Sequence, residues 1–177
     1  NERTDFCDLS IRIGGEAGQG MNSISSLLGK AFVRQGLHVF INHDVMSRIR
    51  GGHNFTQIRI SDRAVNNPSG RIDILVCLDK NTLDLYEGSV DGLIVYDEGK
   101  LKENAPSGRK FRPLPMEKIA EEKGGSARMA NSVALGALAA LTNLSLEPVL
   151  ELLGEVFSQK GDKVIQTNRE CAQEGYE

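Results

Sequence analysis

Residues 9–41 constrain the fold more than any other stretch. Leu9, Ile11 and Ile13 alternate with Ser10 and Arg12, the period-two pattern of a strand with one apolar and one polar face. The run Gly14-Gly15-Glu16-Ala17-Gly18-Gln19-Gly20 follows, dense enough in glycine to allow a tight turn. Met21, Ile24, Leu27, Leu28, Ala31 and Phe32 then recur at helical spacing, with Gly36 placed as a C-terminal stop. Residues 37–41 read as a second strand. Strand, glycine loop, helix and strand make a βαβ unit, for which a right-handed crossover is expected.

Downstream, residues 55–60 alternate again, while 72–78 and 93–96 are continuous apolar runs with Asp73 as the one charge. Such runs suit strands covered on both faces. Residues 81–87 predict a short helix, 111–115 an extended piece bounded by prolines, and 116–123 a charged helix ahead of Gly124-Gly125. From 130 to 144 nearly every residue is Ala, Leu, Val or Gly. This predicts a helix buried on most sides, with Gly136 and Ala140 admitting a close neighbour. Ser145 is placed to cap a helix over 146–159, whose stripe is Leu146, Val149, Leu150, Leu153, Val156 and Phe157. The final helix, 162–174, carries a thin stripe of Val164, Ile165, Asn168, Cys171 and Ala172. The expected fold class is α/β: a single three-layer domain over residues 1–177, with a mixed, mostly parallel sheet and helices on both faces. Alternation in the strands at 9 and 55 implies that not every strand is doubly covered. With 40% of 177 residues hydrophobic, one core of this kind can be filled.

Charge and cysteine usage narrow the function classes. Lys and Arg number 21 against 24 Asp and Glu, a net charge of −3, which leaves no basic footprint for nucleic acid or an anionic membrane. Charged residues at 25% also argue against wholesale disorder. Cys7, Cys77 and Cys171 are far apart, with no C-x-x-C spacing, so the chain by itself cannot complete a Cys₄ iron–sulfur or zinc site. Sparse, odd cysteines point to reduced thiols and a cytoplasmic setting rather than a disulfide scaffold. The polar start does not read as a signal peptide, and the longest apolar segment, 132–144, falls short of the ~20 residues that span a bilayer.

Two loops are candidate sites. A strand-to-helix glycine turn exposes backbone N–H groups at a helix N-terminus and suits a phosphate or pyrophosphate. Its spacing matches neither G-x-G-x-x-G nor the P-loop, and Glu16 adds negative charge, so a purely structural tight turn stands beside the binding reading. Arg48 and Arg50, followed by Gly51-Gly52-His53, could clamp a phosphate or carboxylate with paired hydrogen bonds. In an open α/β sheet that segment leaves the same rim as the glycine loop. The alternative is a solvated turn with the arginines paired to Asp44 or Asp62. His38 is placed on a strand face and His43 in a loop; with His53 they show no metal-ligand spacing. Asp79 and Asp97, at carboxyl ends of strands, suit ligand contact and helix capping alike. No catalytic Ser-His-Asp or Cys-His grouping is visible.

Residues 11–20, Ile-Arg-Ile-Gly-Gly-Glu-Ala-Gly-Gln-Gly, and 47–54, Ser-Arg-Ile-Arg-Gly-Gly-His-Asn, together resemble the gamma subunit or domain of 2-oxoacid:ferredoxin oxidoreductases. Gln57-Ile58-Arg59-Ile60-Ser61-Asp62, Asp73-Ile74-Leu75-Val76 and the Gly175-Tyr176 ending extend the likeness. The wording is most similar to versions fused in front of an alpha part, so an N-terminal domain of a longer subunit stands beside a separate subunit. The resemblance implies coenzyme A-dependent oxidative decarboxylation of a 2-oxoacid such as pyruvate or 2-oxoglutarate, with ferredoxin reduced. Thiamine diphosphate and iron–sulfur clusters would sit on partner alpha and beta subunits or domains, with delta a further candidate. This chain would help bind or cover coenzyme A, through Gly15, Gly18, Gln19, Gly20, Arg48, Arg50, Gly51 and Gly52, with no catalytic or metal-binding residue of its own. A stand-alone nucleotide-binding module, with Asp44 as its ribose acid, and a purely structural interface domain are the competing readings.

Overall fold

A computed structural model describes residues 8–16, 20–44, 53–101 and 108–177. Six strands form one mixed sheet: β1 (Leu9–Gly15), β2 (His38–Asp44), β3 (Asn54–Ser61), β4 (Ile72–Cys77), β5 (Val90–Tyr96) and β6 (Phe111–Pro113), in the order β2-β3-β1-β4-β5-β6. Only β3 runs against the others: it pairs antiparallel with β1 and β2, while β1, β4, β5 and β6 pair in parallel. The helices are α1 (Met21–Arg34), α2 (Lys80–Tyr86), α3 (Glu98–Leu101), α4 (Met116–Gly124), α5 (Ala130–Leu141), α6 (Leu146–Val156) and α7 (Asp162–Tyr176). The chain is thus an α/β protein with helices on both sheet faces.

The opening βαβ unit is split. α1 joins β1 to β2, but β3 lies between them in the sheet. All six apolar positions read from the sequence of α1 are buried. The helix ends where Gly36 takes φ 83°, with Gly36 N–H bonded to the Val33 carbonyl and Leu37 N–H to the Phe32 carbonyl. That pair of bonds is a Schellman stop.

The larger core lies between Ile11, Ile13, Ile58, Ile60, Ile74 and Val76 on the sheet and the helices α1, α4, α5, α6 and α7. α5 and α7 press together because Gly136 has no side chain; a Cβ there would run into the Ala172 carbonyl. Inside this contact Ser132 Oγ donates to Asn168 Oδ1 at 2.7 Å, and Asn168 Nδ2 donates to the Val164 carbonyl at 2.8 Å. The buried amide is therefore satisfied. A smaller core on the opposite face joins Ile72, Leu75, Cys77, Ile94 and Tyr96 to Leu83 and Leu101 from α2 and α3. The doubly covered strands are β4 and β5, as their continuous apolar runs require.

Three local expectations change. His43 lies in β2 rather than a loop, its Nδ1 2.9 Å from Thr56 Oγ1. Ser145 precedes α6 in extended geometry, but its side chain makes no capping bond. α5 stops at Leu141, because Thr142 turns its hydroxyl back onto the Leu138 carbonyl and Asn143 takes φ 53°.

Candidate functional site

The carboxyl end of β1 and the amino end of β3 meet, with Gly15 opposite Asn54, and Asp44 at the end of β2 sits opposite Phe55. The described residues that flank both loops, Gly15, Asp44 and Asn54, therefore stand at one rim, as the sequence predicted. Gly15 is buried at the end of β1, and Gly20 is the N-cap of α1. Gly18, Gln19, Arg48, Arg50, Gly51 and Gly52 lie outside the described residues. Gly20 takes φ 81°, and a Cβ there would run into the Asn131 amide. Its carbonyl accepts from Ser23 and Ile24 N–H at 3.0 and 3.1 Å. Among the described residues α1 begins with no side-chain cap and no acid in its first turn, and a helix N-terminus of that kind favours an anion.

A polar cluster that the sequence did not single out stands on the other face of β1. The Arg12 guanidinium lies 4.3 Å from the Phe55 ring and 4.8 Å from the Tyr86 ring, and its Nη2 donates to Gln57 Oε1 at 2.8 Å. His53 is 6% exposed, its ring 5.3 Å from that of Tyr86. Gly14 makes room for it: a Cβ there would crowd Thr82 Oγ1 at 2.8 Å and His53 Cε1 at 3.1 Å. Among the described residues, the buried side-chain nitrogens without a hydrogen bond are Arg12 Nε and both His53 ring nitrogens. Burial holds the imidazole below its ordinary pKa; Arg12 pushes the same way, while Asp79 and Asp44 oppose. The one signal in the sequence was an arginine inside an alternating strand, with a histidine following Gly51-Gly52.

The two strand-end aspartates resolve as caps. Asp79 Oδ1 accepts from Thr82 N–H at 2.8 Å and the Thr82 hydroxyl at 2.7 Å, opening α2. Asp97 is 4% exposed; its Oδ1 accepts from Gly99 N–H and its Oδ2 from Glu117 N–H, both at 2.9 Å. Burial raises its pKa, and those two backbone bonds pull it back. Beside Asp97 opens a cavity of about 350 Å³, lined by Leu78, Met116, Arg128 and Asn131 and by the ion pair of Lys100 and Glu117 at 2.7 Å. Lys100 is held above its ordinary pKa by that carboxylate.

Cys77 belongs to the smaller core and Cys171 to the larger, so they do not converge. Among the described residues no three His, Cys, Asp or Glu side chains are grouped to hold a metal ion. No described helix is long and apolar enough to cross a membrane.

Comparison with known proteins adds four findings. The family described as pyruvate ferredoxin/flavodoxin oxidoreductase matches residues 10–177. The chain is 30% identical over 173 residues to the 2-oxoglutarate synthase subunit KorC of Archaeoglobus fulgidus, spanning 96% of this chain and 87% of that protein. It is 32% identical over 90 residues to the alpha subunit of a Sulfolobus 2-oxoacid:ferredoxin oxidoreductase, a match to 51% of this chain and 14% of that longer one. The fold superposes with a TM-score of 0.86, at 31% identity, on the 2-oxoglutarate:ferredoxin oxidoreductase of Magnetococcus marinus with 2-oxoglutarate, coenzyme A and succinyl-CoA bound. That likeness covers 96% of this chain and 30% of the other.

Proposed function

Since the chain belongs to the pyruvate ferredoxin/flavodoxin oxidoreductase family, we propose that it serves as a component of a 2-oxoacid:ferredoxin oxidoreductase, where it binds or covers coenzyme A. The observation that carries this reading is the shared fold, along nearly the whole chain, with an oxidoreductase that holds coenzyme A and its succinyl thioester. The assembled reaction converts a 2-oxoacid anion, coenzyme A and two oxidised ferredoxins into an acyl-CoA, carbon dioxide, two reduced ferredoxins and a proton. Thiamine diphosphate and iron–sulfur clusters on alpha and beta partners supply carbanion stabilisation and electron transfer. The assembly would work in the cytoplasm.

Within that assembly the glycine rim does the binding. Gly15, Gly18, Gln19 and Gly20 bring backbone N–H groups and the start of α1 to the pyrophosphate. Arg48 and Arg50 clamp the same charge, and Gly51 and Gly52 let the ligand approach closely. Replacing Arg48 and Arg50 together with alanine in the assembled enzyme is expected to raise the KM for coenzyme A several-fold. An unchanged KM would remove the clamp and leave this chain as an interface domain.

A further inference from the structure

The two edges of the sheet are finished differently. β6 has three residues, Phe111–Pro113, and carries Arg112 and a proline, a charge and a missing N–H that keep an edge from pairing. β2, at the other edge, runs seven residues, His38-Val39-Phe40-Ile41-Asn42-His43-Asp44, with no proline, glycine, lysine or arginine. Its register with β3 is unbroken from His38 to Asp44, so no bulge turns the edge away. Among the described residues no strand pairs with its outer side. A row of unpaired backbone N–H and C=O groups is a template for another strand.

The ground beside this edge is apolar. Val39 and Ile41 face α1, where Gly29 leaves them room: a Cβ there would stand 2.9 Å from Ile41 Cδ1. With Val33 and Leu152 they line a groove of about 470 Å³. Val33 is 57% exposed, more than any other large apolar side chain among the described residues. Arg34, at the border of the groove, is already paired with Glu155 at 2.8 Å. The patch therefore asks for apolar side chains and a strand rather than for an ion.

We propose that a second copy of this chain pairs on this edge, β2 running antiparallel to its counterpart about a two-fold axis through Ile41. Seven residues overlap fully in only one antiparallel register. It sets Ile41 against itself, Phe40 against Asn42, Val39 against His43 and His38 against Asp44. That register is self-complementary. Each end places an exposed imidazole, which can donate a hydrogen bond, across from an exposed carboxylate, which accepts one. The apolar middle meets its own image, and the axis brings Val33 and its groove beside those of the copy. Reversal of the strand puts the two glycine rims at opposite ends of the joined twelve-stranded sheet. The pairing stands independently of what the rim binds.

Cysteine cross-linking tests the pairing, on the protein purified with the subunits that accompany it. Cys77 and Cys171 are buried, and a Cys7→Ser background serves as the unlinked control. Antiparallel neighbours stand about 4.5–5.5 Å apart at Cα, within reach of a disulfide. In that background Ile41→Cys is expected to give a disulfide-linked pair of chains on oxidation. Val39→Cys and His43→Cys should each stay unlinked alone, since like positions are then about 14 Å apart, yet link to one another when coexpressed. Val33→Glu, at an exposed position, is expected to lower the linked yield of Ile41→Cys several-fold with the fold intact. A folded Ile41→Cys variant that does not link would overturn the proposal. Should that variant not fold, the coexpressed Val39→Cys and His43→Cys chains decide in its place, and their failure to link overturns it. Self-linkage of Val39→Cys or of His43→Cys would overturn it as well, by revealing another register.

Discussion

The two faces of the central strand pair β1–β3 are buried by different means. One face carries Ile11, Ile13, Ile58 and Ile60, all fully buried, and is closed by volume: apolar side chains from α1, α5 and α6 fill it. The other carries Ser10, Arg12, Gln57 and Arg59 and is closed by hydrogen bonds. Gln57 Nε2 donates to Ser10 Oγ and to the Ser69 carbonyl, both at 2.7 Å, while its Oε1 accepts from Arg12. Arg59 reaches both Asp8 oxygens at 2.9 and 2.7 Å, and Asp73 accepts from Ser10 N–H at 2.8 Å. A packed apolar face tolerates loss of volume poorly, and a bonded polar face tolerates loss of a partner poorly. The same strand pair thus answers to two kinds of damage.

The largest effect is expected on the helical face. Ile13→Ala removes a side chain of 0% exposure between β1 and the helices and should cost about 2–5 kcal/mol in equilibrium urea unfolding. A smaller cost would mean that the helices collapse onto the gap. On the polar face, Gln57→Ala removes almost no apolar burial but strands the Ser69 carbonyl and an Arg12 donor. The expected cost is about 1–3 kcal/mol, by the same measurement. If the Gln57 variant proved as costly as the Ile13 variant, the distinction between the faces would fail.

That distinction was legible in sequence at the strands themselves, because alternation over residues 9–13 and 55–60 states that two faces differ. Helix α1 with its Gly36 stop and the small-residue contact at Gly136 were legible for the same local reason: periodicity and glycine placement act within a few residues. The insertion of β3 between β1 and β2 was not, since strand order is a long-range pairing that leaves no mark in local spacing. Asp79 and Asp97 stayed ambiguous because a cap and a ligand contact use the same residue type at the same strand end. Only the N–H groups of Thr82, Gly99 and Glu117 decide between them. Gly15 and Gly20 fall at the end of β1 and the start of α1, where the sequence put them, while the contact of Asn131 with Gly20 was not legible. Asn131 lies far along the chain from the glycine loop, in a helix whose composition speaks only of burial.

The polar face also holds the smallest predicted effect, a slope rather than an offset. His53 is buried without a hydrogen bond among the described residues, and burial lowers its pKa from 6.5. As pH falls below 6.5 the unfolded chain takes up a proton that the folded imidazole refuses, so stability declines with falling pH until the folded pKa is also passed. Above 6.5 both states are neutral and the group contributes no slope. His53→Gln keeps a polar side chain of similar reach but does not titrate, and its stability should decline less steeply than that of the parent over this window. Asp79 and Asp44 oppose the shift and Arg12 reinforces it, so Arg12→Met should bring the parent slope toward that of the variant. Equal slopes for the parent and His53→Gln would show that the imidazole acquires a partner in solution, and that this corner of the polar face is satisfied after all.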